Sequence, residues 1–322
     1  MAVNVTIIGA DVLGLSIGLA LKASASPMEV TLHDRDHQRA QQGVSLGAAD
    51  HSAWNLLAAV EAADLVFLNE SLHQLPKTLG HIGPVLHEGA VVTDTASIKA
   101  PVMEWAGESL PNGVYFVGGT PLVTATVPDG TLFHQKRYAI LPAPTADPAA
   151  VKLVADTVTL MGGVPLFIEV AEHDALLAAV QQLPVLTSIA LLQVITQSQS
   201  WKEMATMAGP LFAAAAHLPT DDPDALAAML YHNRHALMRW LRALQMELDN
   251  LQRILSRESD PKPLADRLDK LIVAHQEWEE AQAVGERIDL RETMAEAKVE
   301  RGLGRLFGFS GRRRKRRDRL QR

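Results

Sequence analysis

Gly9 and Gly14 bracket a six-residue turn, Gly9-Ala10-Asp11-Val12-Leu13-Gly14, between the apolar run Val3–Ile8 and a helical pattern over residues 13–22. That order of strand, glycine turn and helix leaves unpaired amide donors and the positive end of a helix dipole where a phosphate can sit. Asp34 closes the next strand pattern, residues 29–33, twenty residues after Gly14. An acid there holds ribose hydroxyls and favours NAD over NADP, while Arg35 beside it keeps NADP open. Together these residues point to dinucleotide binding on a Rossmann-type fold. One position departs. The middle glycine of the pattern, which lets the backbone approach a pyrophosphate closely, is Asp11. Two outcomes follow from its chemistry. Asp11 caps the helix by accepting from the amides of Leu13 or Gly14, puts its carboxylate where a phosphate oxygen belongs and so displaces the cofactor. Alternatively, the loop shifts slightly and NAD binds more weakly.

The elements that must hold this turn are legible in the alternation of the first half. Residues 3–8, 29–33, 65–68, 90–93, 114–117, 138–141 and 164–168 read as strands. Helical patterns lie between them, among them residues 54–62 and 149–161. Strands alternating with helices predict an α/β fold with a parallel, doubly wound sheet. After about residue 169 the strand pattern stops, and residues 174–200, 224–255 and 263–282 read as long helices, with Asp221 or Asp222 capping the second ahead of Pro223. The expected organisation is a Rossmann-like domain over residues 1–169, an all-helical substrate and dimerisation domain over 170–285, and a charged, disordered tail over 286–322. The apolar stripes of the helical half, such as residues 226–255, are too long for one small domain to cover and call for a second copy of the chain.

Composition bounds the chemistry further. The 322 residues are 48% hydrophobic and 21% charged, ordinary values for a globular protein with a large core. There is no cysteine, which excludes disulfides, thiolate metal sites and a cysteine nucleophile. No pair of histidines stands with a carboxylate at a metal-binding spacing, so no metal is expected. The chain opens on a strand rather than a signal-type segment, and the most apolar stretch, residues 175–195, is broken by Gln181, Gln182, Pro184 and Gln193. It reads as a buried core helix of a cytoplasmic protein rather than a membrane span. The net charge of −7 conceals an asymmetry: residues 311–322 hold eight basic residues and one acid, leaving −14 on the rest. A solvated extension is the plain reading of that tail. Leu303, Leu306, Phe307 and Phe309 ahead of the arginines also suit an anionic membrane surface, and the arginines suit nucleic-acid phosphates.

Beyond the turn, the order of landmarks resembles the prephenate/arogenate dehydrogenases of tyrosine biosynthesis. Asp94-Thr95-Ala96-Ser97-Ile98-Lys99 is similar to the family's Asp-x-x-Ser-x-Lys segment. Gly118-Gly119-Thr120-Pro121-Leu122 is similar to its Gly-Gly-His-Pro-Met turn, and Glu172-His173-Asp174 with Gln181-Gln182-Leu183-Pro184-Val185 to its Glu-His-Asp…Ser-His-Leu-Pro-His helix. Asp222-Pro223 and Asn233-Arg234 are similar to a later helix involved in dimer formation. The resemblance covers roughly residues 3–282. It implies an NAD(P)-dependent oxidative decarboxylation of prephenate or arogenate in a homodimer. Hydride passes to the nicotinamide, a titratable group draws off the hydroxyl proton, and a fixed cation holds the substrate carboxylates.

At those positions this chain departs from the pattern. Thr120 stands for the histidine of the glycine turn, and Gln182 and Val185 for the two histidines of the helix. Threonine and glutamine hydrogen-bond a hydroxyl but do not accept its proton near neutral pH. Leu211-Phe212-Ala213-Ala214-Ala215-Ala216-His217 replaces the family's Phe-Arg-Asp-x-Thr-Arg segment, and no arginine lies between Arg137 and Arg234. Asn69-Glu70-Ser71 stands where Val-Pro flanks the nicotinamide. Ser97 remains to orient the hydroxyl, or to cap a helix, and Lys99 remains beside it. His217 is the replacement base on offer, His173 reads as a structural or capping residue, and His232 and His235 read as surface or interface groups. Two functions stay in view: an enzyme of the family with Ser97, Thr120, Gln182 and His217 in its cleft, and an inactive member that binds a metabolite or a partner.

Overall fold

The computed structural model describes residues 3–284, apart from 25, 27, 221 and 257–259. The basic tail and its membrane or nucleic-acid contacts lie outside the described residues. Eight strands form one sheet: β1 (Val3–Ile8), β2 (Met28–His33), β3 (His51–Ala53), β4 (Leu65–Leu68), β5 (Val91–Asp94), β6 (Tyr115–Pro121), β7 (Arg137–Pro142) and β8 (Val164–Phe167). Their order across the sheet is β3-β2-β1-β4-β5-β6-β7-β8. The order reverses between β1 and β4, whose carboxyl ends open the crevice where ligands bind in such sheets. The strands expected from the sequence are present. The short edge strand β3 was not legible, and the sheet is not wholly parallel: β6 and β7 pair antiparallel, Gly119 opposite Ile140, before β8 resumes parallel to β7.

The helices between the strands are α1 (Val12–Ala23), α2 (His37–Ser45), α3 (Leu56–Val60), α4 (Leu75–Ile82), α5 (Ala100–Ser109) and α6 (Pro148–Leu160). Both faces of the sheet are covered, so the central strands read as unbroken apolar runs. On β4, Leu65 and Phe67 join the core shared with α1, α2 and α6, while Val66 and Leu68 join the core on the α3, α4 and α5 side. Side-chain alternation along an extended chain requires that division.

From residue 170 the chain is helical: α7 (Val170–Leu177), α8 (Leu183–Thr196), α9 (Trp201–Met207), α10 (Pro210–Ala215), α11 (Pro223–His232), α12 (Arg234–Leu255) and α13 (Lys262–Val284). The chain groups into two compact units, Met1–Asp249 and Asn250–Arg322, with the join inside α12; α13 belongs to the second. A π-helical turn over Ala178–Gln182 links α7 to α8. Pro184 explains it, because its ring crowds the carbonyl four residues back and it has no N–H to offer there. The expected helix over 224–255 is two helices. Asn233 ends α11, and its side chain is spent on distant partners rather than on either helix. Asp222 caps α11 through the amides of Asp224 and Ala225, as the sequence predicts.

One expectation is overturned. The helix Val170–Thr196 is long and apolar enough to cross a membrane, but only 22% of its apolar window is buried within the chain. Within α8 only Ser188 is buried, so this is not the core helix of a single subunit.

Candidate functional site

The turn after β1 is built as its residue types require. Gly9 has φ +103, a backbone region that glycine alone enters freely, and a Cβ there would lie 2.0 Å from the carbonyl oxygen of Asn69. At Gly14 a Cβ would lie 2.0 Å from the Gly9 oxygen. These two glycines therefore serve the close packing of β1, α1 and the end of β4. Residue 11 has φ −79 and ψ −174, extended backbone that any residue adopts, so an aspartate enters without strain.

The exposed Asp11 is the N-cap of α1, and one oxygen carries the whole contact. Asp11 Oδ1 accepts from Leu13 N at 2.9 Å, Gly14 N at 3.0 Å and Asn69 Nδ2 at 2.6 Å. Asn69, just past β4, is buried, and its amide also donates to Gly9 O at 3.2 Å. Thr95 Oγ1 donates to Asn69 Oδ1 at 2.8 Å. A carboxylate only accepts, so the nitrogen of Asn69 must face Asp11 and its oxygen Thr95. Asp34, expected on ribose hydroxyls, accepts from Ala10 N at 2.7 Å and Asp36 N at 2.8 Å. Arg35 pairs with the buried carboxylate of Glu70 at 3.3 Å. In the sequence, Asn69 and Glu70 stand out only as departures from a pattern. Their partners lie 58 and 35 residues away and leave no local trace in the sequence.

A second polar cluster lies at the carboxyl ends of β5 and β6. Asp94 and Lys99 are fully buried and paired through Oδ2 and Nζ. Asp94 Oδ2 also accepts from Ala96 N at 3.0 Å, and its Oδ1 accepts from Gly119 N at 3.1 Å. Burial pulls the Lys99 ammonium below its ordinary range, against the opposing pull of Asp94. Asp174 reaches across from α7 and caps α5, accepting from Lys99 N and Ala100 N, each at 2.9 Å. Its Oδ1 also meets His173 Nδ1 at 2.8 Å. A carboxylate partner makes that nitrogen a donor; Nε2 is buried and has no partner among the described residues.

The expected site residues divide by what holds them. Thr120 Oγ1 donates to Ala96 O at 2.8 Å. Gln182 is fully buried, and its Oε1 accepts from Asn233 Nδ2 at 2.8 Å, the same nitrogen that donates to Asp174 O at 2.8 Å. Its own Nε2 is buried and unpartnered among the described residues. Ser97 is half-buried in the bend between β5 and α5 and makes no hydrogen bond to a described residue. It does not cap α5, whose cap position is Lys99. Thr120 and Asp174 pin the backbone on either side of it, at Ala96 and Lys99. Thr120, Ser97 and Gln182 are thus tied into one network through residues 94–100, Asp174 and Asn233. His217 is not: it stands exposed between α10 and α11, hydrogen-bonded to no described residue. Its expected part as a replacement base has no support in this geometry. His173 partners Asp174 and caps no helix. The exposed His232 packs edge-on against Trp105, with ring centres 5.3 Å apart.

Comparison with known proteins adds an independent finding. Residues 17–166 match the family model described as the prephenate dehydrogenase nucleotide-binding domain, and residues 169–271 match the prephenate dehydrogenase dimerization domain. The chain is 23% identical over 270 residues to the prephenate dehydrogenase of Bacillus subtilis, covering 79% of this chain and 71% of that protein. It is 24% identical over 265 residues to the cyclohexadienyl dehydrogenase of Zymomonas mobilis, covering 80% and 90%. Among solved structures, it superposes on prephenate dehydrogenase from A. aeolicus in complex with hydroxyphenyl propionate and NAD+ with a TM-score of 0.78 at 22% identity, covering 86% of this chain and 98% of that one. Synechocystis arogenate dehydrogenase gives 0.69 at 22%, covering 85% and 99%. Likeness at these identities shows the fold.

Proposed function

The chain belongs to the prephenate dehydrogenase family, and we propose that it is a member that has lost the family's NAD(P)-dependent oxidative decarboxylation and serves as a binding or regulatory protein. One observation carries this reading. The side chains standing where the family resemblance puts histidines are a threonine and a glutamine fixed by structural hydrogen bonds, and a valine, and none of the three titrates near neutral pH. Loss of a general base alone costs about 10²–10⁴ in rate. The absence of any arginine between Arg137 and Arg234 adds a loss in holding the substrate's carboxylates. Ser97, with a free hydroxyl on a pinned loop, is the group left to meet a ligand of the prephenate or arogenate type.

The test mixes the purified chain with NAD+ and prephenate or arogenate and follows NADH absorbance. No NADH is expected above the protein-free rate. Turnover of about 1 per second or faster, ordinary for an enzyme, overturns the proposal.

The same reading takes the protein as a homodimer. The matched family model is a dimerization domain, and α8 offers an apolar surface that its own chain leaves open, with Val194 70% exposed. Sedimentation should give twice the chain mass, and a monomer at micromolar concentration overturns this part.

A further inference from the structure

We infer that the turn after β1 is an anion site already filled from within: Asp11 Oδ1 is the chain's own counterpart of a dinucleotide phosphate oxygen, and Asn69 is the residue that positions it. The inference deepens the cofactor half of the proposed loss of function and rests on that reading.

Three N–H donors converge on a single oxygen, at 2.9, 3.0 and 2.6 Å. Two are amides of the first turn of α1, the donors that a helix N-terminus presents to a phosphate. An ordinary capping aspartate needs no more than these. The third is the side-chain amide of Asn69, brought from the end of β4 and held in one orientation by Thr95 Oγ1 and Gly9 O. A dinucleotide whose diphosphate lay on this turn would need the donors that Asp11 holds, and would bring two negative charges against a third. The turn as built does not fit the group. The end of β4 adds a second closure on the same side: Glu70 takes Arg35, the cation next to Asp34 that would otherwise meet a phosphate on the ribose. Adjacent residues at the tip of β4 thus engage both charge-reading positions of the cleft. Asp11 carries the charge; while it is in place Asn69 acts by fixing where that charge sits, and only with Asp11 removed is its amide free to meet a phosphate.

Calorimetric titration of the full chain with NAD+ and, separately, with inorganic pyrophosphate tests this without substrate or turnover. The unmutated protein should bind neither measurably. Asp11→Gly frees three donors, and NAD+ affinity should rise on the order of a hundredfold. Adding Asn69→Ala should remove about tenfold of that gain, because the third donor is gone. Asp11→Asn keeps an acceptor in place without charge and should still exclude NAD+. If Asp11→Asn binds as well as Asp11→Gly, repulsion rather than occupancy is responsible, and the inference fails. It also fails if the unmutated chain binds NAD+ as tightly as Asp11→Gly. It fails for Asn69 if the double variant matches the single. Thermal melting of each variant identifies any that do not fold. Binding of NAD+ by the unmutated chain would overturn this inference and leave the missing base untouched, whereas NADH formation would overturn the proposed function itself.

Discussion

Two ends of the same row of strands are built in opposite ways. At the tips of β1 and β4, the polar side chains are an exposed carboxylate and an amide whose donors and acceptors all meet. At the tips of β5 and β6, where Asp174 of α7 joins the network, a carboxylate and an ammonium are wholly buried, and His173 Nε2 and Gln182 Nε2 have no partner among the described residues. The turn is therefore complete and close to water. The buried cluster is charged and incompletely satisfied. Unpaired buried polar atoms are unfavourable by about 1–3 kcal/mol each, and such violations persist mainly where a protein uses them. Under the inference drawn above, the contrast is between a turn closed by its own residues and a buried cluster that keeps polar atoms stability alone would not select.

The largest expected effect breaks the buried end. Lys99→Met strands the Asp94 carboxylate in the core, with only the amides of Ala96 and Gly119 for company. Removing one partner of a buried pair typically costs about 3–5 kcal/mol. Urea midpoints should fall accordingly, and the loss should shrink when Asp94→Asn is added. A cost below about 1 kcal/mol would erase the contrast between the two ends.

Next in size is Asn233→Ala. One amide nitrogen holds Asp174 O and Gln182 Oε1 together, so the variant leaves both polar ends of Gln182 unpaired in the interior. The expected cost is about 2 kcal/mol, read from the same denaturation curves. Asn233→Asp cannot donate to either oxygen and should do no better.

How these partners were read, or missed, in the sequence follows from range. The strands were legible because their residues alternate or run apolar over four to six positions, as Leu65–Leu68 and Val3–Ile8 do. Asp11 as a cap was legible because its acceptor and the amides it meets lie within three residues. Asn69 and Asn233 were not, since each spends its side chain on residues more than fifty positions away and nothing local marks them. Asn233 even lies inside an unbroken helical pattern, and only its tertiary commitment ends α11 there. The reversal of β7 against β6 likewise arises because the connection through residues 122–136 holds turns rather than a helix, which periodicity alone does not reveal.

A smaller effect sharpens the comparison at its edge. Tyr138 is buried beside Asp94, and its hydroxyl has no partner among the described residues. Tyr138→Phe should be neutral or stabilising by about 1 kcal/mol at pH 7, because it removes an unsatisfied group without opening a large cavity. Burial first, and then the charge of Asp94, push its ionisation far above the ordinary value of 10.0. Above that pH the unfolded chain releases a proton that the folded chain keeps, so stability falls as pH rises. Tyr138→Phe should flatten that alkaline loss. Lys99 works in the other direction. Its lowered folded value means that, up to 10.5, the unfolded chain holds more proton than the folded one, so its contribution rises with pH. Melting curves of the two variants across the alkaline range should diverge with these signs.

The smallest change in stability belongs to Asp11→Gly, although it is expected to change ligand affinity more than any other substitution. Glycine is itself a tolerated N-cap and costs only a few tenths of a kcal/mol relative to aspartate. The donors released lie beside an exposed position, and the Asn69 amide retains Gly9 O at 3.2 Å. The melting temperature should therefore barely move. If it dropped by as much as for Asn233→Ala, the carboxylate would be part of the framework rather than a plug in a surface site, and the two ends of the strand row would no longer differ in kind. An unchanged melt would mean that one exposed side chain separates this turn from a phosphate site, whereas no single substitution restores both a base and a carboxylate clamp to the buried end.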